Sequence, residues 1–265
     1  MGPAADGTDP QIAVIDVAGR PAAVAVLSDR WVRLLAVAVE HRGQGLGSAL
    51  LSWCEELARE RGVTELSCCD EPGNYLSPGI ELADRATLQW LERRGFRRHG
   101  ENYSLLIDLQ DNPKISAETV AMAIEKCQRA GYGLRRIEPT ERGALVARIA
   151  RTLSPAWAAE VDRAAHAPSG LWIASTDDAL VGFAAHDGNN RGLGWFGPAW
   201  TDEAHRGHGI GAALVLACLR DVADAGHLQC TISWIGPRKF YDQVATIAGE
   251  LRFAVMRKLL TASPS

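Results

Sequence analysis

The sequence predicts an α/β chain built from two copies of one domain, and three observations carry that prediction. First, the apolar stretch Trp195 to Trp200 runs into a short acidic turn (Asp202, Glu203), then Arg206-Gly-His-Gly-Ile-Gly211, then apolar Leu214, Val215, Cys218 and Leu219 at helical spacing. That is strand, glycine-rich turn, helix. Second, the same object occurs between Leu34 and Leu57, with Arg42-Gly-Gln-Gly-Leu-Gly47 in the matching place. Third, the two superpose at one spacing of 164 residues (206 against 42): Arg42, Gly43, Gly45, Gly47, Ala49, Leu50, Cys54 and Gly62 meet identical residues at Arg206, Gly207, Gly209, Gly211, Ala213, Leu214, Cys218 and Gly226. Loop, helix and helix stop matching together indicate duplication of a whole domain, with a period far too long for a solenoid.

Taken in order, residues 1–10 read as disordered. Gln11 to Val17 and Ala22 to Leu27 are short apolar strands joined at Gly19-Arg-Pro21, a hairpin signal. Trp31 to Val39 is the strand that delivers the first glycine loop, and its helix stops at Gly62. Val63 to Cys69 is a buried type of strand, followed by the loop EPGNYLSPGI with two prolines and two glycines. Ala83 to Arg94 is an amphipathic helix closed by Gly95-Phe96, and Tyr103 to Leu109 is a last strand. Asp111-Asn-Pro113 marks a boundary, which divides the chain into a first domain (1–112), a connecting helix (113–131) capped by Ser116, and a second domain (132–265). Tyr132 to Ile137 opens the second domain as a strand. Helices at 140–151 and 155–165 follow, then strands at 171–175, 180–186 and 193–200. After the second glycine loop come strand 228–235, the turn Gly236-Pro237, a short helix near 239–244 and a final strand at 251–259. The first domain has no counterpart of the strand and two helices at 132–166.

Composition bounds the function. Hydrophobic residues make up 47% and charged residues 23%, with a net charge of −4. Those values fit a soluble globular protein and argue against a nucleic-acid footprint. No apolar run reaches the ~18–20 residues that span a bilayer. The N-terminus lacks a basic region and an apolar core, so neither a secretory signal nor a membrane partner is expected, and a cytoplasmic location is. The six cysteines (54, 68, 69, 127, 218, 230) show no metal spacing and read as buried thiols. No metal is expected.

Alternating glycines at a helix start remove every second Cβ just where backbone N–H groups lack partners, and the helix dipole puts its positive end behind them. The product is a cup of amide donors suited to a pyrophosphate. A P-loop would need Lys-Ser/Thr after the glycines, which is missing. Gly207, Gly209 and Ala212 satisfy G-x-G-x-x-A, but a dinucleotide site wants an acidic residue ending the next strand, and 228–235 ends in Trp-Ile-Gly-Pro.

This order of elements, with Arg-x-x-Gly-x-Gly met at Arg42, Gly45, Gly47 and again at Arg206, Gly209, Gly211, resembles the GNAT superfamily of acetyl-CoA-dependent N-acetyltransferases in its tandem bacterial form. The valine-rich strand (Leu35, Val37, Val39), the Leu91-Glu-Arg-Arg-Gly95-Phe96 turn and Gly236-Pro237-Arg-Lys-Phe240-Tyr241 fit the same pattern. The resemblance implies two GNAT-like domains, each a mixed twisted sheet flanked by helices, the first lacking its N-terminal strand and helices.

It also implies a site. Acetyl-CoA as co-substrate would take the amides of Arg206, Gly207, His208, Gly209, Ile210, Gly211 and Ala212, with Ala199, Trp200 and Thr201 along the acyl arm. In the first domain the matching set is Val37, Ala38, Val39, Arg42, Gly43, Gln44, Gly45, Leu46, Gly47 and Ser48. Tyr241 stands where the family places a proton donor, whereas Leu91 occupies that position in the first domain. Ala245-Thr246 replaces the usual Gly-Phe turn behind Tyr241. A general base is open among Asp202, Glu203, His186 and His208. Trp195, Phe196, Trp200 and Trp234 either wall an acceptor pocket or pack the core. The implied activity is acetyl transfer to a primary amine of a small molecule, by a monomer or homodimer. The competing reading is a module that binds or senses acyl-CoA without turnover.

Overall fold

The computed structural model describes residues 9–166, 170–177, 179–236 and 238–260. They form two compact units, one comprising the chain up to Asn102 together with the segment from Arg252 onward, the other Tyr103–Leu251.

The first unit begins with an antiparallel meander, β1 (Gln11–Val17), β2 (Arg20–Ser28) and β3 (Trp31–Val37). Ala18 and Gly19, both at positive φ (51° and 75°), turn β1 into β2, as a two-residue hairpin loop requires. A 3-10 turn (Val39–His41) leads to α1 (Leu46–Glu60), which runs antiparallel to the strands and returns the chain to β4 (Glu65–Cys68), parallel to β3. After a long loop come the two-residue strand β5 (Ile80–Glu81) and α2 (Arg85–Glu92), whose N-cap Asp84 accepts from Thr87 N. The helix α1 buries Leu50, Leu51, Cys54 and Ala58 against Ala23, Ala25, Leu27, Val32 and Leu66, with Phe96 completing the cluster. Alternation along β2 explains the choice: residues 23, 25 and 27 share one face.

Strand β6 (Arg97–Asp108) starts in the first unit, and its last six residues belong to the second. There α3 (Ala117–Arg129) follows, capped by Ser116, which accepts from Thr119 N. The antiparallel run is β7 (Gly133–Arg136), helices α4 (Arg142–Thr152) and α5 (Pro155–Ala164), β8 (Leu171–Ser175), β9 (Leu180–His186) and β10 (Trp195–Thr201). Helix α6 (Ile210–Asp224) leads to β11 (Gln229–Ile232), parallel to β10, and then α7 (Arg238–Val244) and β12 (Ile247–Leu259). Helix α6 is apolar nearly all round because α3 covers one side of it and the sheet the other. On the opposite sheet face, α4 and α5 pack Leu145, Ile149 and Val161 onto Leu171, Ile173, Phe183 and Ala185.

The division at 1–112, 113–131 and 132–265 read from the sequence differs from these units. Arg257–Leu259 of β12 pair with Glu65–Ser67 of β4, inside the first unit. Leu105–Asp108 of β6 pair with Gln229–Ile232 of β11, inside the second. Each unit therefore takes a closing strand from the end of the other copy. Helix α3 is not a free connector, since Val120 and Cys127 lie in the second unit's core. Both closing strands are longer than their apolar stretches alone indicate. The expected turn at Gly236-Pro237 falls partly outside the described residues, as does most of 1–10.

Among the described residues the first unit has no counterpart of β7, α4 and α5. A longer loop stands in that place. Cys68 to Trp90 spans 22 positions, where Ile232 to Phe240 spans eight. The extra chain folds onto β2 on the face opposite α1, where Ser28, next to the α1-facing Leu27, donates its hydroxyl to Glu71 Oε1 at 3.1 Å.

Candidate coenzyme grooves and the residues around them

Each unit opens a groove by the same device. In the first, the parallel pairing of β3 and β4 is confined to Trp31–Ser67 and Val32–Cys68, after which the strands separate. A bulge at Arg33, between the pairs Leu27–Val32 and Val26–Leu34, bends β3 away. In the second, β10 and β11 pair only at Trp195–Thr231 and Phe196–Ile232, and β10 is irregular between Phe196 and Ala199. All four pairings obey the 164-residue spacing.

The glycine loops close the grooves identically. Gly43 and Gly45 lie at φ 77° and 86°, Gly207 and Gly209 at 86° and 83°, conformations that any side chain with a Cβ resists. Gly45 and Gly209 are the N-caps of α1 and α6 and offer no side-chain cap, so the first amides of each helix have no acceptor within it. Arg42 Nε donates to Val37 O at 3.1 Å and Arg206 Nε to Thr201 O at 3.4 Å, tying each loop back to its strand. The Cβ that a substitution would add at Gly43, Gly45 or Gly207 meets nothing within 4 Å. The loops are thus open above their amides. At the third glycine the space is taken by an aromatic ring: Trp90 lies 3.4 Å from the position a Cβ would take on Gly47, and Phe240 3.4 Å from that on Gly211.

The first groove is a cavity of about 760 Å³ running from Arg42, Gly43, Gly45 and Ser48 to Cys68 and Cys69, with Trp90 and Leu91 as one wall. Val37, Leu46 and Gly47 also line it. Its volume and its open cup of amides fit a coenzyme A arm and pyrophosphate. Desolvation pushes the thiol of half-buried Cys69 up to about 12.

In the second unit Tyr241 follows Phe240, the two rings 5.1 Å apart and nearly perpendicular. Tyr241 packs at the edge of the main core cluster, and burial pushes its hydroxyl up to about 12. The second loop leans on α3 and on Tyr132: the Cys127 thiol donates to His208 O at 3.7 Å, Tyr132 OH is 3.2 Å from His205 Nδ1, and the Tyr132 ring packs against His208. Trp200 packs toward Phe183, which in turn meets Trp157, so that aromatic set belongs to the α4–α5 core.

The four residues weighed as a base have other engagements. Asp202 accepts from Ala204 N at 3.0 Å, and exposed Glu203 pairs with Arg206 at 3.1 Å. His208 is exposed beside Tyr132. His186 is buried between Asp187 (3.2 Å) and Asp221 (3.5 Å). Burial alone would lower its pKa, but the two carboxylates outweigh that and raise it.

The buried charged groups Arg33, Asp70, Glu71 and Glu160 were not singled out from sequence. Arg33, 2% exposed, pairs with Glu71 at 2.7 Å and donates to Asn74 O at 3.2 Å. A charge inside the otherwise apolar β3 is the signal that could have found it. Glu160, 5% exposed, accepts from Asn189 at 3.4 Å, and burial raises its carboxyl to about 7. It sits one helical turn from Ala156 and Ala164, on the apolar face of α5.

Comparison with known proteins agrees with this geometry. No curated protein sequence matches the chain significantly. A tandem GNAT protein from the clavulanic acid biosynthesis pathway superposes with a TM-score of 0.70 at 20% identity, covering 100% of this chain and 86% of that one. A GCN5-related N-acetyltransferase from Sphaerobacter thermophilus gives 0.61 at 19% identity, covering 93% and 79%. A glucosamine N-acetyltransferase region of a fungal multi-domain GH3 β-N-acetylglucosaminidase gives 0.68 at 18% identity; this chain is 90% covered but spans only 32% of that protein. At these identities the likeness is one of fold. The sequence model of the Acetyltransferase (GNAT) family matches residues 5–77 and again 122–243, so the chain belongs to that family of acyltransferases, as a tandem pair.

Proposed function

We propose that the protein is an acetyl-CoA-dependent N-acetyltransferase of a small primary amine, with coenzyme held in both units and transfer confined to the second. The observation that carries this reading is the doubled groove: splayed parallel strands, a glycine loop at positive φ, and a helix start without a cap, repeated at one spacing.

In each unit the loop amides would hold the pyrophosphate. Bound acetyl-CoA supplies an activated acyl thioester. Along β10 the backbone N–H groups near Ala199, Trp200 and Thr201 are assigned to its carbonyl oxygen, where preorganised donors act most strongly. Tyr241 is assigned as the proton donor to the departing thiolate. Its hydroxyl carries the proton that the thiolate takes up as it leaves.

Two features argue that the first unit holds its coenzyme without transfer. Leu91 cannot donate a proton. The face that α4 and α5 cover in the second unit is covered here by the long loop and the buried Arg33–Glu71 pair, so the two helices that would wall an acceptor site are replaced. In this respect the reading as an acyl-CoA-binding module applies to half of the chain.

The test is a thiol-release screen of amines with acetyl-CoA, repeated with Tyr241→Phe. The substitution keeps the ring against Phe240 and removes only the hydroxyl, so turnover should fall about 10²-fold, the scale of a lost general acid, with coenzyme affinity unchanged. Equal turnover in variant and parent refutes the role of Tyr241.

A further inference from the structure

A second cavity, of about 590 Å³, adjoins the first unit's groove and shares Ser48, Leu51 and Arg94 with it. Its charged residues are Arg93, Arg94 and Lys258, against the single carboxylate of Glu55. Glu55 is already engaged by Lys258 at 2.5 Å and Arg59 at 3.1 Å. Arg94 is held rigid: it stacks 4.0 Å above the Trp90 ring, donates to Trp90 O at 3.1 Å and donates to Ser48 Oγ at 2.5 Å. Burial, and then the neighbouring Arg93, lower its pKa. Two guanidinium groups crowd together with no carboxylate between them, an arrangement that an anion would relieve.

The duplication supplies an internal control. At the matching positions of the second unit, Ser48, Ser52 and Glu55 become Ala212, Leu216 and Leu219, and Arg93 and Arg94 become Gln243 and Val244. Lys258, opposite Leu66, becomes Ile107, opposite Cys230. Leu216, Leu219, Val244 and Ile107 are all buried core residues. The fold at this place is therefore satisfied by apolar side chains, and the charges in the first unit answer some other need.

We propose that this cationic annex receives the 3′-phosphate of the coenzyme's adenosine and makes the first unit selective for coenzyme A over its dephospho form. The proposal rests on the coenzyme reading of the groove. With the pyrophosphate on the loop amides and the pantetheine arm running toward Cys68 and Cys69, the adenosine arm must leave from the other side of the loop. The annex opens there, at Ser48 in the first turn of α1. Three cations against one carboxylate leave about two positive charges, matching the ~1.5–2 negative charges of a phosphomonoester near pH 7. The second unit, with no charged side chain at any matching position, has no such preference.

The test is calorimetric titration of Gly209→Asp protein, in which the second loop carries a repelling charge, with coenzyme A and with dephospho-coenzyme A. The Cβ added at Gly209 meets only Cys127 Sγ, at 3.9 Å, so the variant has room to fold. Coenzyme A should bind at least tenfold more tightly than the dephospho form. Adding Arg93→Gln, an exposed position that a melting curve can certify as folded, should bring the two within threefold while leaving dephospho-coenzyme A affinity unchanged. Equal affinities in the Gly209→Asp protein, or a gap that survives Arg93→Gln and Lys258→Gln together, would overturn the proposal. Binding of neither ligand overturns the groove assignment itself, a distinct result from binding both equally.

Discussion

Replacing Gly45 separates strain from charge at the point where a phosphate would sit. Gly45 is at φ 86° and ψ −7°, and an added Cβ meets nothing within 4 Å. Gly45→Ala therefore introduces only the left-handed backbone penalty, about 1–2 kcal/mol of stability. Gly45→Asp adds to that a negative charge at the mouth of the amide cup. For a carboxylate ~5 Å from one phosphate charge, Coulomb's law gives about 0.8 kcal/mol in bulk water and about 3 kcal/mol at an effective dielectric of 20. The loop is exposed, so a value near 1–2 kcal/mol is appropriate, or roughly 5–30-fold weaker binding than in Gly45→Ala. Calorimetric titration with coenzyme A, alongside melting curves, reads both quantities. If Gly45→Ala and Gly45→Asp bind the coenzyme equally at the first unit, no anion approaches Gly45 and the groove has been assigned wrongly. The two-unit reading makes a companion prediction: Gly45→Asp should retain most transferase activity, whereas Gly209→Asp should lose it.

Glu160 and β12 provide tests of the fold. Burial raises the Glu160 carboxyl from 4.5 to about 7. Below pH 4.5 it is protonated folded and unfolded; as the pH rises from 4.5 through 7 the unfolded state gains from ionisation first, so folding loses about 3 kcal/mol. Glu160→Gln should change the melting temperature little at pH 4 and raise it increasingly up to pH 7–8; an equal gain at pH 5 and pH 8 would refute the assignment. A chain ending at Leu251 lacks Ala254, Met256 and Leu260, all in the first unit's core. It should lose roughly 3–6 kcal/mol there, and hydrogen exchange should show lost protection in β2–β4 with β8–β10 still protected; uniform loss across both sheets would contradict the exchange of closing strands.

What was legible in the sequence was whatever local chemistry dictates. The glycine loops were readable because positive φ at a helix start leaves few alternatives to glycine, and the N-caps Asp84 and Ser116 follow from the same local logic. Strand partners were not readable. Strands β6 and β12 carry the same closing pattern, and nothing in either says which copy of the parallel strand it joins; that choice is made by tertiary pairing, after the periodicity has been used up. The buried charges were hidden for a related reason. Arg33 and Glu71 are 38 residues apart in the chain, and neither is recognisable as a partner until the bulge in β3 turns Arg33 toward the long loop.

The long loop also explains why the two copies diverged in kind. Their common spacing of 164 residues holds through β4 and β11, then shortens to 150 at Trp90 and Phe240, because the first copy has inserted chain just after its parallel strand. In the second unit α4 and α5 cover one sheet face, and the first unit does not have them. The inserted loop covers its face with short chain and an ion pair, Arg33–Glu71, in place of two helices. Such a pair is costly to break, since either member alone would be a buried charge, at about 3–5 kcal/mol. On the proposed reading a face covered in this way offers no acceptor site, while the loop amides stay open. On the proposed division of labour, coverage of the sheet and loss of transfer are one structural event. Glu71→Gln should consequently destabilise the first unit by ~3 kcal/mol or more, read as an earlier melting transition, while leaving turnover in the second unit intact. Loss of turnover in a still-folded Glu71→Gln protein would place the chemistry in the first unit and refute the division of labour proposed for the two grooves.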